Sequence, residues 1–205
     1  MEEVAYKAQK ARYTKETVLF RQGDTTPHIY FIHTGYVLIH KVDVNGNSGI
    51  LDLYGPGSWF GPGLSGQTQD IEAIAKSGCE LEIAPIEYLD TMMNAISQTA
   101  QDLIVQLATR ESQIQQRLFL HITAPLPVRL ANLLIQLFHY QGQSCGHGHE
   151  LDVKLSQAEL AAMVGGSRQT VSQLLSRWKL NGVIDYTRQY ICLINKPNLE
   201  ALARN

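Results

Sequence analysis

The side chains with the clearest chemical use lie between Lys154 and Ile184. Arg168, Gln169, Ser172 and Gln173 fall on one face of a helical repeat, and Val171, Leu174, Leu175 and Trp178 fall on the other. A guanidinium can hydrogen-bond guanine through two donors, and a carboxamide can pair with adenine through a donor and an acceptor. The polar face therefore suits base edges in a DNA major groove. Gln157, Arg177 and Arg188 are further candidates around it. A second constellation, Cys145-Gly-His147-Gly-His149, offers soft ligands at close spacing. Zinc would need a fourth ligand and none is obvious, so the stretch reads as a polar loop and no metal is expected. Cys79, His28, His33 and His40 could supply axial ligands to a haem, but isolated Cys and His in strands are more often structural. An enzyme on a related β fold would need a His-x-His pair and a carboxylate inside the β segment. The only His-x-His, at His147 and His149, lies outside it, and no nucleophile–base constellation stands out. No catalytic residues and no cofactor are expected.

The polar face needs two short helices to hold it. Ser156, with Glu159 three residues on, makes a capping-box pattern. Leu160, Ala161 and Val164 then supply an apolar face, and Gly165-Gly166 ends the helix, because glycine enters left-handed backbone conformations at little cost. Ser167 or Gly166 starts the second helix. An ordinary helical hairpin would share these features. What separates the two is the sequel: Gly182 to Ile194 reads as strand, turn and strand, a β-wing.

Upstream, residues 13–84 look all-β. Thr17–Phe20, Ile29–Ile32, Tyr36–His40 and Gly49–Leu53 are short apolar runs divided by turn signals at Gly23-Asp24, Thr34-Gly35, Asn45-Gly46 and Tyr54–Gly57, as in sandwiches and barrels. Residues 97–121 read as a long helix with Ser97 as its cap. Ala100, Leu103, Leu107, Ile114 and His121 follow heptad spacing, Ile104 and Leu118 lie beside them, and Arg110 and Arg117 interrupt the seam. Such a seam suits pairing with a second copy, or packing on the helix's own domain. Pro125 and Pro127 mark a hinge, Val128–Phe138 a further amphipathic helix, and Gly142–Gly148 a loop. The domains expected are 1–96, 97–123 and 124–205.

The net charge of −2 hides an asymmetry. Residues 1–123 hold nine Lys and Arg against fourteen Asp and Glu, whereas residues 124–205 hold eight against five. A cationic C-terminal part suits a polyanion such as double-stranded DNA. Its modest excess puts affinity on placed contacts and dimerisation more than on bulk charge. Three scattered cysteines fit a reducing cytosol. The polar N-terminus and the lack of a long apolar run give no sign of a leader or a membrane span, and a cytoplasmic protein is expected.

This order of elements resembles the CRP/FNR family of bacterial transcription regulators over nearly the whole chain. The matching stretches are Leu19–Gly23, Tyr30–Gly35, Gly57–Gly61, Leu155–Ala161 and Gly166–Leu175, the most specific being Ser167-Arg168-Gln169-Thr170-Val171. The resemblance implies an α+β fold: an N-terminal double-stranded β-roll like those that bind cyclic nucleotides, a long dimerisation helix and a C-terminal winged helix-turn-helix. It implies a sequence-specific transcription regulator, a homodimer joined through Leu103, Leu107 and Ile114. Such a dimer reads an inverted repeat with half-sites about one helical turn apart. By the same resemblance Arg168 reads guanine, Ser167 and Thr170 touch phosphate, and Ser156 meets the DNA backbone at a helix N-terminus. RNA polymerase is an implied partner. Gln169 and Gln173 depart from the family pattern, which often has an acidic residue at the first position and a basic one at the second, so the familiar operator is not carried over.

Cyclic-nucleotide binders of the family hold the ribose with a Glu and the phosphate with an Arg. In the corresponding stretch, Phe60–Ile74, Pro62 stands at the Glu position and no Arg or Lys occurs between Lys41 and Lys76. A phosphate there would meet Asp70 and Glu72, so tight cyclic AMP binding in the usual mode is not expected. Gly61, Gly63 and Leu64 are where an effector of unknown identity would be met. An iron–sulfur sensor needs N-terminal cysteines, and none precedes Cys79. A regulator of the same fold gated by haem or thiol redox is the alternative.

Overall fold

The computed structural model describes residues 8–61, 69–88, 98–145, 148–187 and 190–204, apart from the side chains at 98–100, 141 and 145. Ser97, Pro62, Gly63, Leu64, His147 and Arg188, named above, lie outside the described residues, as do the side chains of Ala100 and Cys145. The chain divides into two compact units, residues 1–112 and 113–205.

The first unit is built from strands β1 (Gln9–Tyr13), β2 (Thr17–Phe20), β3 (His28–Thr34), β4 (Val37–Val42), β5 (Ser48–Tyr54), β6 (Trp59–Phe60), β7 (Glu72–Ala75) and β8 (Cys79–Pro85). They form two four-stranded antiparallel sheets, ordered β1-β8-β3-β6 and β2-β7-β4-β5. The four runs singled out by their β-branched and aromatic content are β2 to β5. Between the sheets lie Phe20, Tyr30, Ile32, Val37, Ile39, Phe60, Ala73, Ala75, Cys79 and Leu81. Aromatic rings fill one end of this core: Tyr30 and Phe60 stack with centroids 5.0 Å apart, with Phe20 5.9 Å from Tyr30 and Tyr54 5.6 Å from Phe60. Burying such a side chain stabilises by about 1.5–3 kcal/mol. Gly35 (φ +79°) is required where β3 turns into β4, because a Cβ there would stand 2.6 Å from the Cα of Cys79.

Helix α1 (Gln98–Thr123) follows. Within the first unit Gln106 fastens it to the roll, donating from Nε2 to the carbonyl of Gly57 (2.7 Å) and accepting the N–H of Trp59 at Oε1 (3.3 Å). One turn on, the Arg110 guanidinium lies 3.5 Å from the Tyr54 ring centroid and 3.5 Å from Oδ2 of Asp52. The half-buried positions of α1 are Leu103, Gln106, Arg110, Gln113, Arg117 and Leu120. Arg110 and Arg117 thus belong to a stripe of their own. A second, exposed stripe carries Ile104, Leu107, Ile114 and Leu118, with Glu111 as its polar position.

The second unit contains α2 (Leu126–Gln141), β9 (Gly142–Cys145), β10 (Gly148–Leu151), α3 (Gln157–Val164), α4 (Arg168–Leu180), β11 (Ile184–Tyr186), β12 (Ile191–Leu193) and α5 (Lys196–Leu202). Two expectations are corrected. Pro127 does not break the chain: α2 starts at Leu126 with Pro125 as N-cap, and a proline in the first helical turn loses no intrahelical bond. Gly142–Gly148 is not simply a loop, because its flanks form a hairpin, β9 with β10, that joins the wing in a sheet ordered β11-β12-β10-β9. These glycine-rich, polar residues have little strand preference, and the ladder to β12 supplies what composition lacks. Leu130, Leu134, Leu160, Val164, Val171, Leu175, Trp178, Ile184 and Leu199 make the core.

Candidate nucleic-acid interface

The two motif helices form as their caps dictate. Ser156 caps α3: its Oγ accepts the Glu159 N–H (3.2 Å), and Glu159 Oε2 accepts the Ser156 N–H (2.7 Å). Gly165 closes α3 in the left-handed region (φ +62°, ψ +45°), with its N–H bonded to the carbonyl of Ala161. Ser167 caps α4 by accepting the Thr170 N–H (3.0 Å), and its Oγ also lies 2.8 Å from Oγ1 of Thr170. Helix α4 buries Val171, Leu174, Leu175 and Trp178 and leaves Arg168, Gln169, Thr170 and Gln173 exposed, with Ser172 half-buried.

Ser156, Gln157 and Arg168 meet Tyr186 and Thr187 of the wing around a cleft of about 700 Å³. Two helix N-termini and the base of the wing therefore converge. N-termini present unpaired N–H groups and a partial positive charge, so the arrangement offers several anchors for phosphate beside one free guanidinium. Among the described residues Arg168 and Arg177 have no ion-pair partner. Arg177 lies around α4 from that cleft, in a depression shared with Pro127, Trp178 and Asn198.

Lys179 is differently committed. Its Nζ lies 2.5 Å from Oδ1 of Asp185 and donates to the carbonyl of Tyr186 (3.1 Å), while Ser176 Oγ stands 3.2 Å from the Tyr186 hydroxyl. These bonds pin β11 to the end of α4 and so fix the wing against it. The hydrogen bond from Lys179, and then its charge, hold the Asp185 carboxyl below its usual range. The pin is therefore fully formed above the ordinary carboxylate range and loosens only as the pH falls below it. Sequence reading missed this role. The available signal was an acid six residues after a lysine across a helix–strand corner.

The other candidates lie elsewhere. Gly61 follows β6, with its Cα packed on β3: a Cβ would stand 2.9 Å from the carbonyl oxygen of His28. Asp70 is bonded to Lys41 (2.6 Å), and Glu72 lies 3.8 Å from Arg21 and 3.6 Å from His40. Leu103 is on the half-buried stripe of α1 with Gln106 and Arg110, whereas Leu107 and Ile114 are exposed, by 59% and 52%. Burial pushes the Cys79 thiol up to about 11. Among the described residues no three His, Cys, Asp or Glu side chains cluster as metal ligands, and no helix is long and apolar enough to cross a membrane.

Comparison with known proteins covers both units. Residues 10–95 match the cyclic nucleotide-binding domain and residues 128–202 the Crp-like helix-turn-helix domain. The chain is 27% identical over 171 residues to the cAMP-activated global transcriptional regulator CRP of Haemophilus influenzae, covering 80% of this chain and 74% of that protein. It is 26% identical over 189 residues to the global nitrogen regulator of a Nostoc species, covering 90% and 84%. A transcriptional regulator of the CRP/FNR family from Thermus thermophilus superposes with a TM-score of 0.77 at 26% identity, over 96% of this chain and 99% of that one. FixK2 from Bradyrhizobium japonicum shares the fold, with a TM-score of 0.82 at 20% identity over 95% and 96%.

Proposed function

Since the chain belongs to the CRP/FNR family of transcription regulators, we propose that it acts in the cytoplasm as a homodimer that reads an inverted-repeat DNA site and that cyclic AMP does not gate it. The observation that carries the reading is α4 itself: an N-capped helix with a packed back and an outward face of Arg168, Gln169 and Gln173. Arg168 pairs with guanine, and the two glutamines replace the charged side chains common in the family and so change the preferred neighbouring bases. Ser156, Gln157, Ser167, Thr170 and Arg177 bind the DNA backbone, Ser172 supports the reading face, and Arg188 is a further cation for the same duplex. Two copies join along the stripe of Ile104, Leu107, Ile114 and Leu118 and put the two copies of α4 in successive major grooves. RNA polymerase is the onward partner. The activity is one of binding, with no catalytic step.

Against cyclic AMP stands the charge of the roll. Asp70 and Glu72 occupy the stretch where a phosphate would need a cation, and Lys41, Arg21 and His40 already face them. Gating by thiol redox draws no support from Cys79, a buried neutral thiol.

The test is selection of binding sites from random duplexes by wild type and by Arg168→Ala, each with and without cyclic AMP. Wild type should enrich an inverted repeat containing guanine, with the same enrichment when cyclic AMP is added. Arg168→Ala should lose preference at one base per half-site, by about 1–3 kcal/mol. Identical motifs at equal strength from both proteins would remove Arg168 as a base reader. Enrichment that depends on cyclic AMP would restore the nucleotide as effector.

A further inference from the structure

The turn between α3 and α4 consists of Gly165 and Gly166, and both pack against chain that precedes the motif. A Cβ on Gly165 would stand 3.5 Å from Nε2 of His121, near the end of α1. A Cβ on Gly166 would stand 2.7 and 2.8 Å from the two methyl carbons of Leu126, the first residue of α2. Carbon contacts are optimal near 3.5–4.0 Å, so the Leu126 methyls occupy the space that any larger residue at 166 would need. The backbone on either side of Leu126 is held in place. Its neighbours Pro125 and Pro127 have φ fixed by their rings, and Pro125 is the helix N-cap. The next residue after Gly166 is Ser167, the cap of α4, and the one after that is Arg168.

We infer that Leu126 is a positioning residue for base reading: its methyl pair, seated against the bare Cα of Gly166, sets the direction in which α4 leaves the turn and hence where Arg168 points. This rests on the DNA reading proposed above and adds to it a residue outside the helix-turn-helix. The pair forms a lock of complementary sizes. Gly166, unlike Gly165, lies outside the left-handed region, so an alanine there adds a methyl group without backbone strain.

The experiment uses the full chain, a duplex enriched from a random pool by the wild-type protein, and a scrambled duplex of the same composition. Binding to the scrambled duplex depends on phosphate contacts; preference for the selected one depends on the placement of α4. Gly166→Ala should lower that preference about tenfold, within the range of one base contact. Its affinity for the scrambled duplex should stay within about twofold. Leu126→Ala should also lower the preference, and Gly166→Ala/Leu126→Ala should recover most of it, because the new methyl then has room. Wild-type preference in Gly166→Ala, no recovery in the double variant, or a parallel loss on both duplexes overturns the inference. If Gly166→Ala fails to fold, Leu126→Val, which keeps the glycine and draws the methyls back from it, decides alone: unchanged preference overturns the inference. A wild-type protein that enriches no duplex overturns the DNA reading and this inference with it.

Discussion

Cys79 shows how one residue is decided by neighbours distant in the chain. In the sequence it could be a haem ligand, a redox thiol or a core residue. The structure buries it completely, with the Gly35 backbone so close that no side chain fits between. Burial holds the thiol neutral, with its pKa raised from 9.0 to about 11. The unfolded chain therefore releases this proton before the folded one does. Cys79 contributes its full share of stability below the unfolded value, and that share is lost as the pH rises toward about 11. At pH near 8 a thiol-alkylating reagent should leave Cys79 unmodified in the native protein and modify it in denaturant, read by peptide mass mapping. Rapid modification of the native protein at Cys79 would show an accessible thiolate and revive a redox role. Arg168, Gln169 and Gln173 were legible because their exposure follows from one helix's own periodicity. The commitment of Lys179 to Asp185 was not, because it depends on how β11 returns across the end of α4.

Helix α1 makes the same point at the scale of an element. A single heptad seam with two arginines in it is an awkward interface. The structure resolves it into two stripes, one fastened through Gln106 and Arg110, the other exposed. Both were present in the spacing, since Leu103, Gln106, Arg110, Gln113, Arg117 and Leu120 alternate by three and four residues. The apolar positions alone merge the two and set Leu103 beside Leu107. The capped motif helices were legible for a different reason: Ser156, Glu159, Gly165 and Ser167 act within a turn of themselves. The hairpin of β9 and β10 was not, because its partner strand lies far along the chain. The exposed stripe carries a prediction. Ile114→Glu sets a charge at its middle while leaving the half-buried stripe intact, so the folded units should survive and the dimer should not. Light scattering should give twice the monomer mass for wild type and the monomer mass for the variant, with unchanged circular dichroism. A wild type that is monomeric at all concentrations would remove this stripe as the interface.

The whole molecule carries its charge unevenly, and the structure reduces the cations available to DNA further than composition suggests. In the second unit Lys179 is held by Asp185, and Lys196 lies 3.9 Å from Glu200. Arg168 is assigned to a base; Lys154 and Arg177 are exposed and, among the described residues, have no acidic partner, and Arg188 is the third cation of each copy proposed for phosphate. Each phosphate neutralised releases about 0.9 of a counterion, so two copies with about three such contacts each give a slope near −5 in log affinity against log salt. Between about 50 and 200 mM salt the affinity should then fall roughly a thousandfold. Hydroxyl and backbone N–H contacts from Ser156, Ser167 and the two helix N-termini bring no full charge to a phosphate, release no counterions from the DNA and leave the slope unchanged, so they should dominate what survives at high salt. Lys179→Ala should loosen the wing without altering the slope, whereas Arg177→Ala should make it shallower by about one unit per copy. Fluorescence anisotropy on the selected duplex across a salt series measures both. A slope near −10 would mean that phosphate binding extends well beyond this surface. A slope near zero would mean that the cations of α4 do not face the duplex.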